Sequence, residues 1–227
     1  MGKAMEKDKG TPYFKGLNRK DYIIKVSNII KEEGVEAISI RKIAKELGCS
    51  SASLYRYFEN LDELLYYAHL DSLNEYIQEL SKQEKNWEDI WDVHFGIWRA
   101  YAYEAFKKVE AFECIFYRNI NKNLGKALEE YYDMFPDAIV KVSPIVKEML
   151  TIPEYYGRDY YMCCQLAKRG KIRQEDASRL NHLECTLFLG YFKEVQELGI
   201  KPEEIKAKVE QFMEEIKKIA GLFLIEH

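Results

Sequence analysis

Proline is scarce in this chain, with five in 227 residues beside twelve glycines, too few to cut it into the short strands and tight turns of a sandwich or barrel. No stretch alternates β-branched and polar residues with a period of two, so no half-buried strand is indicated and nearly the whole chain is expected to be helical. Apolar runs of about eighteen residues are missing too, and Met1-Gly2-Lys3-Ala4-Met5-Glu6-Lys7 leads into no signal-peptide core, which leaves the cytoplasm as the expected compartment. The cysteines, Cys49, Cys114, Cys163, Cys164 and Cys185, are five, an odd number without paired ligand spacing, which argues against a disulfide framework or a zinc module. His182 and Cys185 stand one helical turn apart but find no third ligand, so no metal is expected. Cys163-Cys164 has only Lys168 nearby to lower a thiol pKa, so both read as inert thiols. Glycine-rich phosphate loops, nucleophile elbows and histidine–carboxylate–nucleophile sets are lacking, and neither catalysis nor a cofactor is expected.

What is present is unevenly spread. The chain is 47% hydrophobic with a net charge of −4, enough for one large core or two small ones. Residues 1–60 carry 12 Lys and Arg against 8 Asp and Glu, while the remainder carries 22 against 30. A basic head on an acidic body suits one end that meets phosphate and another with a different task. Residues 1–17, with glycines and lysines around Pro12, read as a flexible arm. A first helix should start after Asn18, carry Ile23, Val26 and Ile30 on one face, and stop at Gly34. A second should run from Ser39 to Gly48, a third should follow Ser50, and a fourth should begin at Asn60 with Glu63 at capping-box spacing. Further helices are expected near 61–82, 87–108, 155–169, 174–198 and 202–224, with a proline-broken region at 110–150. The last should open with Pro202 at its first position.

The segment Ile40-Arg41-Lys42-Ile43-Ala44-Lys45-Glu46-Leu47-Gly48-Cys49-Ser50-Ser51-Ala52-Ser53-Leu54-Tyr55-Arg56-Tyr57-Phe58-Glu59 has a specific pattern. Two helices that cross steeply through a short turn need a small residue at the contact, a residue tolerant of positive φ in the turn, and apolar locks on both sides. Ala44 is the small contact and Gly48 the turn. Ile43, Leu47, Cys49, Leu54 and Tyr57 are the locks. With these hallmarks, and with Asn60-Leu61-Asp62-Glu63-Leu64-Leu65 after them, the stretch from Arg19 to Leu65 resembles the DNA-binding domain of the tetracycline-repressor (TetR) family. The family often has glycine where Ala52 stands and lysine where Leu61 stands, and the second departure would remove a phosphate contact. The resemblance implies an all-α fold: an N-terminal three-helix helix-turn-helix domain at 18–60, then a helical ligand-binding and dimerisation domain at 61–227.

A recognition helix of about two turns would set its N-terminal side chains against base edges in the major groove, with flanking groups on phosphates. Short polar Ser50, Ser51 and Ser53 can approach closely. Arg41 is the best candidate for a guanine, since a guanidinium can bind O6 and N7 together. Ser39, Lys42, Tyr55 and Arg56, with Lys20 behind them, complete the expected DNA-binding set, while Tyr57 should pack inside.

In the body, Ile205, Val209, Phe212, Ile216, Ile219 and Phe223 alternate four and three apart into one seam. The preceding helix offers Leu180, Leu183, Leu187, Tyr191, Val195 and Leu198. Such seams can be intramolecular core, but the resemblance implies a homodimer through a four-helix bundle, with Leu183, Leu187, Tyr191, Val209, Phe212 and Ile216 at the interface and a palindromic operator as partner. Residues 87–161 hold 17 of the 31 aromatic residues. Trp91, His94, Phe95, Trp98 and Tyr101 share a face on the helix from Trp87, with Phe112, Phe116, Tyr117 and Tyr161 further on. Such a set can be plain core or an apolar pocket, and the resemblance implies a small lipophilic or aromatic effector there. Asp92, Glu104 or Glu113 could favour a cationic one. The reading is therefore a ligand-responsive repressor without membrane contact. The alternatives are an architectural DNA-binding dimer with a solidly packed middle, and an enzyme with a vestigial head.

Overall fold

A computed structural model describes residues 16–118, 124–138 and 141–225. Residues 1–15, most of the expected flexible arm, lie outside that set. Among the described residues the chain is all helix, in the order α1 (Arg19–Glu33), α2 (Ile40–Leu47), α3 (Ser51–Leu54), α4 (Leu61–Gln83), α5 (Ile90–Lys107), α6 (Val109–Phe112), α7 (Leu124–Met134), α8 (Pro144–Leu150), α9 (Tyr155–Lys168), α10 (Ala177–Leu198) and α11 (Ile205–Gly221). The chain forms two compact units that divide after Ala68, inside α4. None of these helices is long and apolar enough to cross a membrane.

Local chemistry sets most helix ends. Asn18 accepts from the Asp21 amide while the Asp21 carboxylate accepts from the Asn18 amide, a reciprocal cap that opens α1. Ser39 accepts from the Lys42 amide at the start of α2. At α4 the Asn60 side chain accepts from the Glu63 amide at 2.9 Å, but Glu63 reaches back to the Glu59 amide rather than to that of Asn60.

Three boundaries differ from the sequence-based expectation. α5 starts at Ile90, where Asp89 and Asp92 form a capping box, so Trp87 precedes the helix rather than sharing it with Trp91 and Trp98. The Trp87 indole instead lies over Gly96, where any side chain would collide with it. Pro202 sits in a turn, and α11 begins only at Ile205. The broken region holds a π-helical stretch, Glu113–Tyr117, closed by the Arg118 amide donating to the Glu113 carbonyl at 2.8 Å.

The first unit has its core between α1, α2, α3 and the first turns of α4. Tyr22, Ile23, Val26, Ile43, Leu54 and Phe58 are all at most 2% exposed. The Arg19 guanidinium lies 4.0 Å from the Tyr67 ring and 3.3 Å from the Glu63 carboxylate, pinning α1 to α4. In the second unit α5, α9, α10 and α11 pack on one another around a ring cluster centred on fully buried Phe188.

Candidate functional site

The surface of the first unit is built by the turn between α2 and α3. Gly48 adopts the left-handed conformation (φ 64°, ψ 31°), which costs any other residue backbone strain. Its geometry lets the Cys49 amide donate to the Ala44 carbonyl at 2.9 Å, so the chain reverses directly over the small residue. Tyr22 then secures the turn from below. The Ser53 hydroxyl donates to the Ser50 carbonyl at 2.6 Å, which leaves the Tyr22 phenol to donate to Ser53 Oγ at 2.7 Å. Burial first, and then the neighbouring Cys49, push the Tyr22 phenol up to about 12, so it stays a donor at any physiological pH. Tyr22→Phe is expected to lower stability by about 0.5–1.5 kcal/mol, the net worth of one such bond. Urea unfolding followed by circular dichroism checks this, and an unchanged midpoint would contradict the supporting role.

The expected DNA-binding residues divide into two groups. Arg41, Ser50, Ser51, Tyr55 and Arg56 are exposed on this one unit, Tyr55 to 55%. Ser50 makes no side-chain cap bond. Ser39 is exposed, but its hydroxyl caps α2. Lys42 is only partly exposed and its ammonium lies 2.5 Å from Glu33, so a phosphate would have to compete for it. Ser53 is the correction: at 7% exposed and bound to Tyr22 and Ser50, it braces the turn instead of facing outward. Tyr57 donates to the Leu17 carbonyl at 2.6 Å. The recognition element is also shorter than two turns. α3 is a single turn, after which the Arg56 and Tyr57 amides bond three residues back, because Phe58 is drawn into the core.

The aromatic middle of the second unit is mostly filled. Trp98, Tyr101, Phe106, Phe112, Phe188 and Phe212 are mutually packed rings, with centroid separations of 5.0–6.3 Å. Beside them lies a cavity lined by Tyr76, Ile97, Trp98, Tyr101, Met149, Tyr155, Arg158 and Asp159; a water's centre can occupy about 30 Å³ of it, room for one or two waters. Of the eight expected ligand-binding residues only Trp98 borders this space. Phe112 is 0% exposed, and Trp91 and Phe95 stack on each other at 5.3 Å away from it. Phe116 meets Tyr101 edge-on at 5.7 Å and Phe112 at a tilt at 5.9 Å, and Tyr117 shares a 3.5 Å contact with the Tyr101 hydroxyl. Tyr161 donates to Glu148. The carboxylates considered for a cationic effector are engaged elsewhere: Asp92 in its cap, Glu104 with Lys107 and Lys108, Glu113 with Arg118.

Against one wall of the cavity lies a polar cluster that the sequence reading missed. His94, 1% exposed, places Nε2 at 2.9 and 3.1 Å from the two carboxylate oxygens of Glu184, itself 0% exposed. Asp159, 7% exposed, accepts from the Trp98 indole at 2.9 Å and from Asn181 at 3.0 Å. The Cys163 thiol is 3.8 Å from Asp159 and 3.7 Å from Glu184, and Cys185 is 3.8 Å from Asp159. Each helix delivers its groups one turn apart: His94 and Trp98 from α5, Asp159 and Cys163 from α9, Asn181 with Glu184 and Cys185 from α10. Burial pushes every member toward its uncharged form. The His94 imidazole is lowered, the Glu184 carboxyl is raised well above its usual range, and Asp159 is raised to about 7 by burial and then by Glu184. His182, the histidine earlier paired with Cys185, is exposed and meets Tyr156 instead.

The polar cluster also turns α10 over. Its buried face is Leu180, Asn181, Glu184, Cys185, Phe188, Phe192 and Val195, so Leu183, Leu187 and Tyr191 of the expected seam are half-buried along a surface groove with Ile219. Val209, Phe212 and Ile216 of the expected interface are 3%, 0% and 0% exposed within the single chain. They cover α5 and α10 and are closed to a partner.

Residues 27–68 match the family model of bacterial regulatory proteins, tetR family. HTH-type transcriptional regulators from strains of Staphylococcus aureus are 35% identical over 65 residues, 29% of this chain and 35% of theirs. The match thus spans about a third of the length of those relatives. Among solved structures, a candidate tetR-family transcription regulator of Shewanella sp. PV-4 aligns with a TM-score of 0.50 at 12% identity, over 92% of this chain and 100% of that one. A Rhodococcus sp. RHA1 protein of unknown function aligns with a TM-score of 0.53 at 18% identity, over 89% of this chain and 97% of its own. These last two likenesses are of fold.

Proposed function

We propose, on the premise that this chain carries the N-terminal segment of the tetR family of bacterial regulatory proteins, that it is a cytoplasmic DNA-binding transcriptional regulator. It would act as a homodimeric repressor of a palindromic operator. The observation that carries this is the exposure, on one unit, of Arg41, Ser50, Ser51, Tyr55 and Arg56 around a braced turn. Two copies related by a two-fold axis would read half-sites about 10 base pairs apart, or a multiple of that. The groove beside Leu183, Leu187, Tyr191 and Ile219 is the surface that supports pairing of two copies, in place of the buried α11 seam. In this reading the body responds to a small effector.

The packing of the middle favours a second reading, an architectural DNA-binding dimer without a lipophilic effector, because the cavity holds no more than one or two waters. The discriminating experiment is selection of random duplexes by the full chain, followed by binding titrations at several salt concentrations. Enrichment of an inverted repeat supports the regulator. Strong, steeply salt-dependent binding with no enriched sequence supports the architectural dimer, and absence of duplex binding overturns both.

A further inference from the structure

We propose that His94, Asp159 and Glu184 form a binding site for one divalent transition-metal ion of the zinc class, buried in the second unit. The three side chains place their candidate ligand atoms within 4.8 Å of one another. A tetrahedral zinc site with bonds of about 2.0–2.1 Å to nitrogen and oxygen separates neighbouring ligand atoms by roughly 3.3 Å. The observed edge from His94 Nε2 to the Glu184 oxygens, 2.9 and 3.1 Å, is within a few tenths of an ångström of this, and the remaining edges of the triad are at most 4.8 Å. Nitrogen and oxygen donors in this number suit zinc or its neighbours in the first transition row, and not calcium, which needs six to eight oxygens.

Electrostatics points the same way. Two carboxyl groups stand in the core, and among the described residues no lysine or arginine pairs with either; His94 is the basic group that meets Glu184. A bound divalent ion would displace the carboxyl protons and offset the charge of both groups while the imidazole stays neutral. His94 Nε2 faces both oxygens of Glu184, so an ion between them would meet the imidazole lone pair. The surroundings also resemble an outer ligand shell. Trp98 and Asn181 each donate to a different oxygen of Asp159, and such donors orient a ligating carboxylate. The fourth position can be taken by a water from the cavity that Asp159 borders.

The test uses the full chain, unfolded in the presence of chelator and refolded with Co2+ or Zn2+ in small excess. The expected result is one equivalent retained per chain after gel filtration, the visible absorption of four-coordinate Co2+, and a higher unfolding midpoint with Zn2+ that chelator reverses. His94→Ala and Glu184→Gln should each lose the retained ion, whereas His182→Ala, at an exposed histidine, should keep it. Tryptophan fluorescence and circular dichroism check that the variants fold. Should either fail to fold, the Co2+ spectrum and midpoint shift of the unaltered chain decide alone. Absence of both overturns the proposal, as does retention by a folded His94→Ala variant equal to that of the unaltered chain. No DNA enters these measurements, so they stand apart from the function proposed above.

Discussion

Phe188→Ala is expected to lower the unfolding free energy of the second unit by about 3–5 kcal/mol, the range for truncating a fully buried aromatic ring. Phe188 is 0% exposed and has ring neighbours on every helix of that core. Tyr101 stands at 5.0 Å, Trp98 at 5.5 Å, Phe106 at 5.8 Å and stacked, Phe212 at 5.8 Å edge-on, Phe192 at 5.8 Å, and Tyr155 of α9 at 6.2 Å. Rigid rings cannot collapse into the space that a seventh ring vacates, so the cavity term would be felt in full. Against a typical domain stability of about 5–15 kcal/mol, the loss is a large fraction of the whole. The chain offers a selective probe, because its three tryptophans, Trp87, Trp91 and Trp98, all belong to the second unit. Tryptophan fluorescence in guanidinium therefore follows that unit even where the whole chain does not unfold in one step. A loss below about 1 kcal/mol would show that the ring cluster can repack and is not the keystone described here.

Arg41→Ala is expected to weaken binding to the selected duplex by about 5- to 150-fold, the worth of a bidentate arginine–guanine contact of about 1–3 kcal/mol. The side chain leaves α2 one residue past the first helical position and is exposed, so its removal should spare folding. Binding has to be compared at one salt concentration, because the phosphate contribution varies steeply with salt. Lys42→Ala should behave differently. Its ammonium is shared with Glu33, and if it meets phosphate at all its loss should weaken every duplex alike and reduce the salt slope by about one. Arg41→Ala with less than a twofold effect on the selected duplex, or an equal effect on unrelated duplexes, would remove Arg41 from base readout.

Much of the head could be read directly from residues. The ends of α1 and α2 and the position of the turn follow from Asn18, Asp21, Ser39 and Gly48, because a cap or a left-handed glycine acts through partners within four residues. Where local signals competed, the reading drifted. The aromatic period that suggested a helix from Trp87 runs straight through Asp89, which nonetheless caps α5 together with Asp92. Pro202 suits a first helical turn, yet the chain turns there and becomes helical only at Ile205. α3 stops after one turn because Phe58 is taken into the core, a demand that no residue within α3 reveals.

The candidate sites were legible to unequal degrees. Arg41, Ser50, Ser51, Tyr55 and Arg56 lie within sixteen consecutive positions, so the motif that spaces them also places them. Ser53 belongs to the same run, but its role was decided by Tyr22, 31 residues away. The polar cluster was hidden more deeply. Its members sit at one-turn spacing on three helices, which is a signal, but Glu184 and Asn181 on α10 alternate with the leucines of the expected seam, and nothing local marks them as buried. The amino-acid sequence by itself determined the helical class, the head's caps and its glycine turn, since these are settled by neighbours along the chain. Only the tertiary structure decided which face of α10 is buried and that His94 meets Glu184 across 90 residues, because burial depends on what the other helices present, and no local pattern carries that.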